Sequence, residues 1–156
     1  MKKEDRQIVC AGGGEMKTLS IRQPWASLII KGFKDVENRS WRTLIRGEIA
    51  IHASQSKIED DWEDAIITAS MIKTITFSEA KKWLIESIGE FDKLPRGAIL
   101  GTVEISDCKR KHTSPWHFDD NWGFYLQNPK ELKKPIPAKG KLGFWDFDLS
   151  LAEAVK

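Results

Sequence analysis

Two helix-period stretches stand back to back in the middle of this chain, with β-type runs on either side. Residues 59–71 open with five acids among six residues, which suits the positive end of a helix dipole. Trp62, Ala65, Ile66, Ala69 and Ile72 then recur at helical spacing. Ser78 can cap the second helix, Ala80, Trp83, Leu84 and Ile88 form its apolar stripe, and Gly89 closes it. Upstream, a short strand is expected over residues 18–21. A helix follows, with Pro24 at its first position, Trp25, Leu28 and Ile29 on one face and Gly32 as its stop. Residues 35–41 read as extended. Gly47 opens a strand that turns Ile49, Ile51 and Ala53 one way and Ala50, His52 and Ser54 the other. Downstream, residues 98–106 form a long β-type run and residues 124–126 a short one, and Trp145, Phe147 and Leu149 alternate with Asp146 and Asp148. Turn signals lie at Pro95-Arg96-Gly97, Asn128-Pro129, residues 135–137 and Lys139-Gly140. Strands that do not alternate regularly with helices argue against a doubly wound sheet. The pattern predicts an α+β fold, a small mixed and mostly antiparallel β-barrel with inserted α-helices.

Size and composition narrow the class further. With 156 residues and 17.8 kDa the chain suits one domain. Apolar residues at 40% allow a real core. No apolar run exceeds four residues, Leu28-Ile29-Ile30 among them, far too short for a membrane span, and no secretory signal is visible. Cys10 and Cys108 make neither a disulfide framework nor a metal site by spacing. A reduced, cytoplasmic domain without metal or cofactor is expected. Residues 1–16, with the run Ala11-Gly12-Gly13-Gly14-Glu15, read as a disordered arm or added leader, residues 17–150 as the domain, and 151–156 as a tail. Net charge is only +2, but it is uneven. Lys and Arg against Asp and Glu run 7 to 2 over residues 17–46, 6 to 10 over 47–96 and 8 to 5 over 97–145. Basic portions flanking an acidic middle suit a surface that faces nucleic acid, although a salt-laced surface would look the same.

The chemistry-bearing residues crowd into one block. Arg22 and Gln23 stand just before a helix start, where a guanidinium beside unpaired N–H groups makes an anion site. Lys34, Glu37, Arg39 and Trp41 fall within eight residues, and at period two Glu37, Arg39 and Trp41 share a face. An aromatic plane, a guanidinium fork and a carboxylate on one side can stack a base, clamp a phosphate and accept a base amino group. The bland alternatives stay open. Glu37 and Arg39 can simply pair with each other, Trp25 and Trp145 are expected in the core, and His52 can be a satisfied strand histidine. His112 and His117 lie in the basic loop 109–117, too few for zinc. Cys108 near His112 has no third group to orient a nucleophile–base pair.

The segments Leu19-Ser20-Ile21-Arg22-Gln23-Pro24-Trp25-Ala26, Lys34 to Trp41, and Arg46-Gly47 with Ile51-His52-Ala53 resemble the ASCH domain of activating signal cointegrator proteins. Gly101-Thr102-Val103-Glu104-Ile105 and Gly143-Phe144-Trp145 extend the resemblance over about residues 17–149. It implies a PUA-like barrel and RNA recognition linked to transcription or RNA processing. On that expectation Arg22, Lys34, Arg39, Arg42 and Arg46 position a nucleic-acid backbone. Trp41 and Glu37 stack or read a base, and Gln23 and His52 complete the interface. The alternative implied by small family members is a hydrolase of RNA or of a modified nucleoside such as N4-acetylcytidine. Their Lys–Thr–Glu arrangement keeps its lysine as Lys34, but Glu37 stands in the threonine's place. Lys34 and Glu37 would be catalytic, with Glu104 as a second candidate to exchange protons. A protein partner for the acidic helix near Glu59 is the third reading.

Overall fold

The structure, a computed structural model, describes residues 14–111 and 113–148. The expectations placed on Cys10, His112, Leu149 and the tail lie outside these residues. The elements run β1 (Glu15–Ile21), α1 (Trp25–Ile30), β2 (Val36–Arg39), β3 (Gly47–Ala53), α2 (Glu59–Lys73) and α3 (Phe77–Ile88). A 3-10 turn (Phe91–Lys93), β4 (Ala98–Lys109), β5 (Trp122–Pro137) and β6 (Phe144–Asp148) follow among the described residues. Six strands form one sheet in the order β2-β5-β4-β3-β1-β6. Among the described strands, only β1 and β3 pair in parallel.

The mixed, mostly antiparallel α+β character is as expected, but the sheet does not close into a barrel. Among the described residues, strands β2 and β6 are its two edges, each paired on one side only. No ladder joins β2 to β6 among the described residues. Side chains bridge the gap instead. Phe124 on β5 stacks over Phe144 on β6 at 6.2 Å between ring centres, although the two strands lie four places apart in the sheet order. Trp41 meets both rings edge-on at 5.3 and 5.8 Å, and Arg39 on β2 donates from Nη2 to the Ser20 carbonyl on β1 at 2.9 Å. The sheet is therefore strongly curled.

Leu19, Ile21, Ile49, Ile51, Val103, Ile105 and Phe124 fill the inside of the curl, and α1 plugs it with Ala26, Ile29 and Ile30. The other face of α1 carries Leu28 into a second cluster with Ala65, Leu84, Ile88 and Phe91, under α2 and α3. A third cluster on the outer face of the sheet holds Met16, Ala50, Ile99, Ile136, Trp145 and Phe147. β3 is buried on both faces, so His52 is enclosed along with its apolar neighbours.

Local differences from expectation have local causes. β1 begins at Glu15, not Thr18, because Met16 is buried opposite Phe147 on β6. Pro24 takes the N-cap of α1, and the helix starts one residue later. Thr76, not Ser78, caps α3, through a capping box in which its hydroxyl accepts from Glu79 N and its own N–H is taken by the Glu79 side chain. Asn128-Pro129 does not turn the chain. It sits in β5 where the register against β4 shifts, a place where a missing N–H costs little. Gly101 on β4 permits that irregularity, since a Cβ there would lie 2.0 Å from the Lys130 carbonyl oxygen.

Candidate functional site

The end of β1, the start of α1, the segment 34–41, the first turn of α2 and the loop before β5 surround a cavity of about 500 Å³. Arg22 leaves β1 and meets Asp61 on α2 through a paired contact, Nε to Oδ2 at 2.7 Å and Nη2 to Oδ1 at 3.1 Å. Trp25 donates its indole N–H to the same carboxylate at 3.0 Å. Burial works to raise the Asp61 pKa, but these hydrogen bonds outweigh it and hold the group below the ordinary carboxylate value.

Opposite, Glu37 is shared between two cations. Its Oε2 accepts from Arg39 Nε at 2.9 Å, and its Oε1 lies 3.5 Å from Lys34 Nζ. Lys34 is 3% exposed, donates to the Val36 carbonyl and stands 5.7 Å from the centre of the Trp25 ring. Burial pushes its pKa below that of a free lysine, with Glu37 opposing. Trp41 is 37% exposed at the rim. Asn38 fixes the facing loop by donating to Trp116 O and accepting from Phe118 N, both at 2.9 Å.

A second cavity of about 510 Å³ adjoins the first and shares Ser20, Arg22 and Arg39 with it. His52 and residues 54–56 and 139–143 form the rest of its wall. Trp145 Nε1 donates to Ser20 Oγ at 3.1 Å, Ser20 Oγ lies 2.9 Å from His52 Nδ1, and His52 Nε2 lies 2.7 Å from the Ala138 carbonyl. Since indole N–H only donates and a carbonyl only accepts, the chain is satisfied when Nε2 carries the proton and Nδ1 accepts from Ser20. Burial accordingly lowers the His52 pKa.

The structure thus gathers Arg22, Lys34, Glu37, Arg39 and Trp41 at the first cavity and His52 at the second. It does not bring Gln23, Arg42 or Arg46 to either. Gln23 is 0% exposed and ties α1 to the chain after the 3-10 turn, donating to Ser27 Oγ and Pro95 O and accepting from Ser27 N. The anion site expected at the start of α1 is therefore filled from within, Gln23 taking the Ser27 N–H and Asp61 the Arg22 guanidinium. Arg42 lies over the Trp122 ring at 5.7 Å, and Arg46 bonds Thr43 O and Ile45 O. Cys108 is a free, half-buried thiol whose pKa burial raises, the opposite of what activates a nucleophile. Among the described residues no group of three or more His, Cys, Asp and Glu could hold a metal ion.

Sequence reasoning missed Asp61, Asp64, Asn38, Phe118 and Asn121 at the first cavity and residues 139–143 at the second. Asp61 was visible only as one acid in a helix-opening run; nothing local ties it to an arginine 39 residues earlier.

The profile of the ASCH domain family matches residues 19–139. The chain is 30% identical over 145 residues to activating signal cointegrator 1 of Homo sapiens, and equally to that of Mus musculus. The match takes in 88% of this chain and 23% of each relative, so the chain spans about a quarter of their length.

Proposed function

The chain belongs to the ASCH domain family, and from that premise we propose that it is a nucleic-acid-binding module, for RNA first, that receives an unpaired base or nucleotide in the cavity beside α1. The observation that carries this reading is the convergence of Arg22, Lys34, Glu37, Arg39 and the exposed Trp41 on one open hollow. Trp41 supplies a stacking plane whose opposite edge is already fixed by Phe124 and Phe144, so ordering it on binding costs little. Arg22 and Arg39 are held in place by carboxylates before any ligand arrives. Asn38, whose amide keeps one N–H and one oxygen lone pair beyond its bonds to Trp116 O and Phe118 N, adds a polar edge that discriminates a base from a flat hydrocarbon. The module acts in a reducing, cytoplasmic setting, which suits the free thiol of Cys108, and no described helix is long and apolar enough to cross a membrane. Its link to transcription or RNA processing is part of the same proposal.

Titration of a single-stranded RNA against the protein tests it. Trp41→Ala should lose about 1–3 kcal/mol of binding, the worth of one base stacked on an aromatic ring, which is roughly 5- to 150-fold. Affinity that is absent, or indifferent to Trp41, overturns the reading.

Hydrolysis is the second reading, and Lys34 favours it. A buried lysine with a lowered pKa on the cavity wall is a candidate base or nucleophile. Against it, Lys34 already serves Val36 O and Glu37. Turnover of N4-acetylcytidine or RNA by the wild type that vanishes in Lys34→Ala would establish the enzyme, and no turnover would dismiss it.

A further inference from the structure

The two adjoining cavities differ in charge. The first is walled by three cations, Arg22, Lys34 and Arg39, and three carboxylates, Glu37, Asp61 and Asp64. The second has four cations, Arg22, Arg39, Lys139 and Lys141, and no carboxylate. We propose that the second cavity is the phosphate site of the ligand whose base enters the first. The ligand is then a single nucleic-acid strand lying across both, rather than a free nucleoside. This rests on the base-binding reading above and assigns the ligand's backbone to a separate set of residues.

A neutral base suits the compensated cavity, where an added phosphate would meet three carboxylates. A phosphodiester suits the other, whose wall adds two lysines without an ion pair among the described residues and carries no carboxylate of its own, although Asp61 and Glu37 offset part of the charge of the shared arginines. The shared residues make the two halves of one path. Arg22 commits Nε and Nη2 to Asp61, and Arg39 commits Nε to Glu37 and Nη2 to Ser20 O. Each keeps Nη1 without a hydrogen-bond partner among the described residues. Lys139 and Lys141 are exposed and form no ion pair among the described residues. Hydroxyls of Ser54 and Ser56 and the amide of Gln55 add neutral donors on the opposite wall.

The lysine segment is placed, not loose, at its root. Ala138 donates to Gly97 O at 3.0 Å and receives His52 Nε2 at 2.7 Å. Gly140 then lies so close to the His52–Ser20 pair that a Cβ would stand 2.7 Å from both His52 Cε1 and Ser20 Oγ. The close approach brings the flanking lysines to the edge of the shared wall.

The test uses the whole chain, an oligouridylate of about ten nucleotides, uridine, and an oligoglutamate of similar charge. Wild type, Lys139→Gln/Lys141→Gln and Trp41→Ala are compared between 50 and 200 mM salt. Both lysines are exposed, so their loss should leave folding intact. The double variant is expected to lose strand affinity, and its log–log salt slope should become shallower by about 1.4, at ~0.7 per phosphate contact on a single strand. Uridine binding should stay unchanged. An unchanged slope with normal wild-type strand binding overturns this inference alone, as does uridine affinity that falls in step. Wild type that binds no strand, or that is indifferent to Trp41, overturns the base-binding reading and this one with it. Oligoglutamate bound as tightly as the RNA overturns the nucleic-acid assignment of the second cavity.

Discussion

His52 shows how a single side chain sets the geometry of a neighbouring loop. It is 1% exposed and linked to Ser20 on one side and Ala138 on the other. The charged groups that share its cavity wall, Arg22, Arg39, Lys139 and Lys141, are all cations; burial disfavours its protonation, and the hydrogen bond to Ala138 opposes this. Its folded pKa lies below the ordinary 6.5, so the unfolded chain binds the proton first as pH falls. Stability should therefore decline as pH is lowered through about 6.5 and level off once the folded pKa is passed. Urea midpoints at pH 8, 6 and 5 should fall less steeply in His52→Gln than in the wild type; parallel profiles would remove His52 from the account. Much at this scale was readable beforehand. The period-two spacing put Glu37 and Arg39 on one face, and they are indeed in contact at 2.9 Å. What could not be read were partners distant in sequence: Asp61 for Arg22, Ala138 for His52, Glu131 for Lys31. Such pairs are fixed by the fold, and no local pattern encodes them.

At the scale of elements, helix existence and strand order along the chain were legible because period and punctuation agree there. Boundaries failed where two capping residues compete. Thr76 and Ser78 both precede apolar helical positions, but only Thr76 has an acid three residues on, Glu79, to return the bond. Thr76→Ala should cost about 1 kcal/mol, the usual worth of an N-cap, and Ser78→Ala close to nothing, as read by urea unfolding. Equal effects would show that the box does not stabilise α3. β5 failed as a sequence reading for the opposite reason. Asn128-Pro129 carries strong turn chemistry, but β4 offers Gly101 opposite the irregularity and the strand continues through it. Gly101→Ala tests that account. A Cβ 2.0 Å from backbone must displace β5, and a loss of roughly 2 kcal/mol or more is expected, in the range of overpacking into a closed site. A variant as stable as the wild type would mean the two strands separate there without cost.

For the whole molecule, the open sheet and the uneven charge belong together. A closed ladder between β2 and β6 would seal the side on which Arg39 reaches Ser20; with only side chains across the gap, the two cavities can meet there. Closure was expected from strands that do not alternate regularly with helices and from the family resemblance, but neither says whether the two edge strands meet. The net charge of +2 says little about binding, because most acids of the middle segment lie on α2 and α3, of which Asp61 and Asp64 reach the first cavity, while the cations of the paired cavities come from other elements. Salt dependence should therefore report the local count of cations and not the global charge. If only Lys139 and Lys141 neutralise phosphates, the log–log slope for a single strand is about −1.4; if Arg22 and Arg39 join them, it is about −2.8. Affinity should then fall roughly 7- to 50-fold between 50 and 200 mM salt, which is those slopes applied to a fourfold change. A slope near −4 or steeper would require further cations, such as those of Lys109, Arg110, Lys133 and Lys134 on β4, the following loop and β5. It would mean that the strand runs over the outside of the sheet instead of through the hollow beside α1.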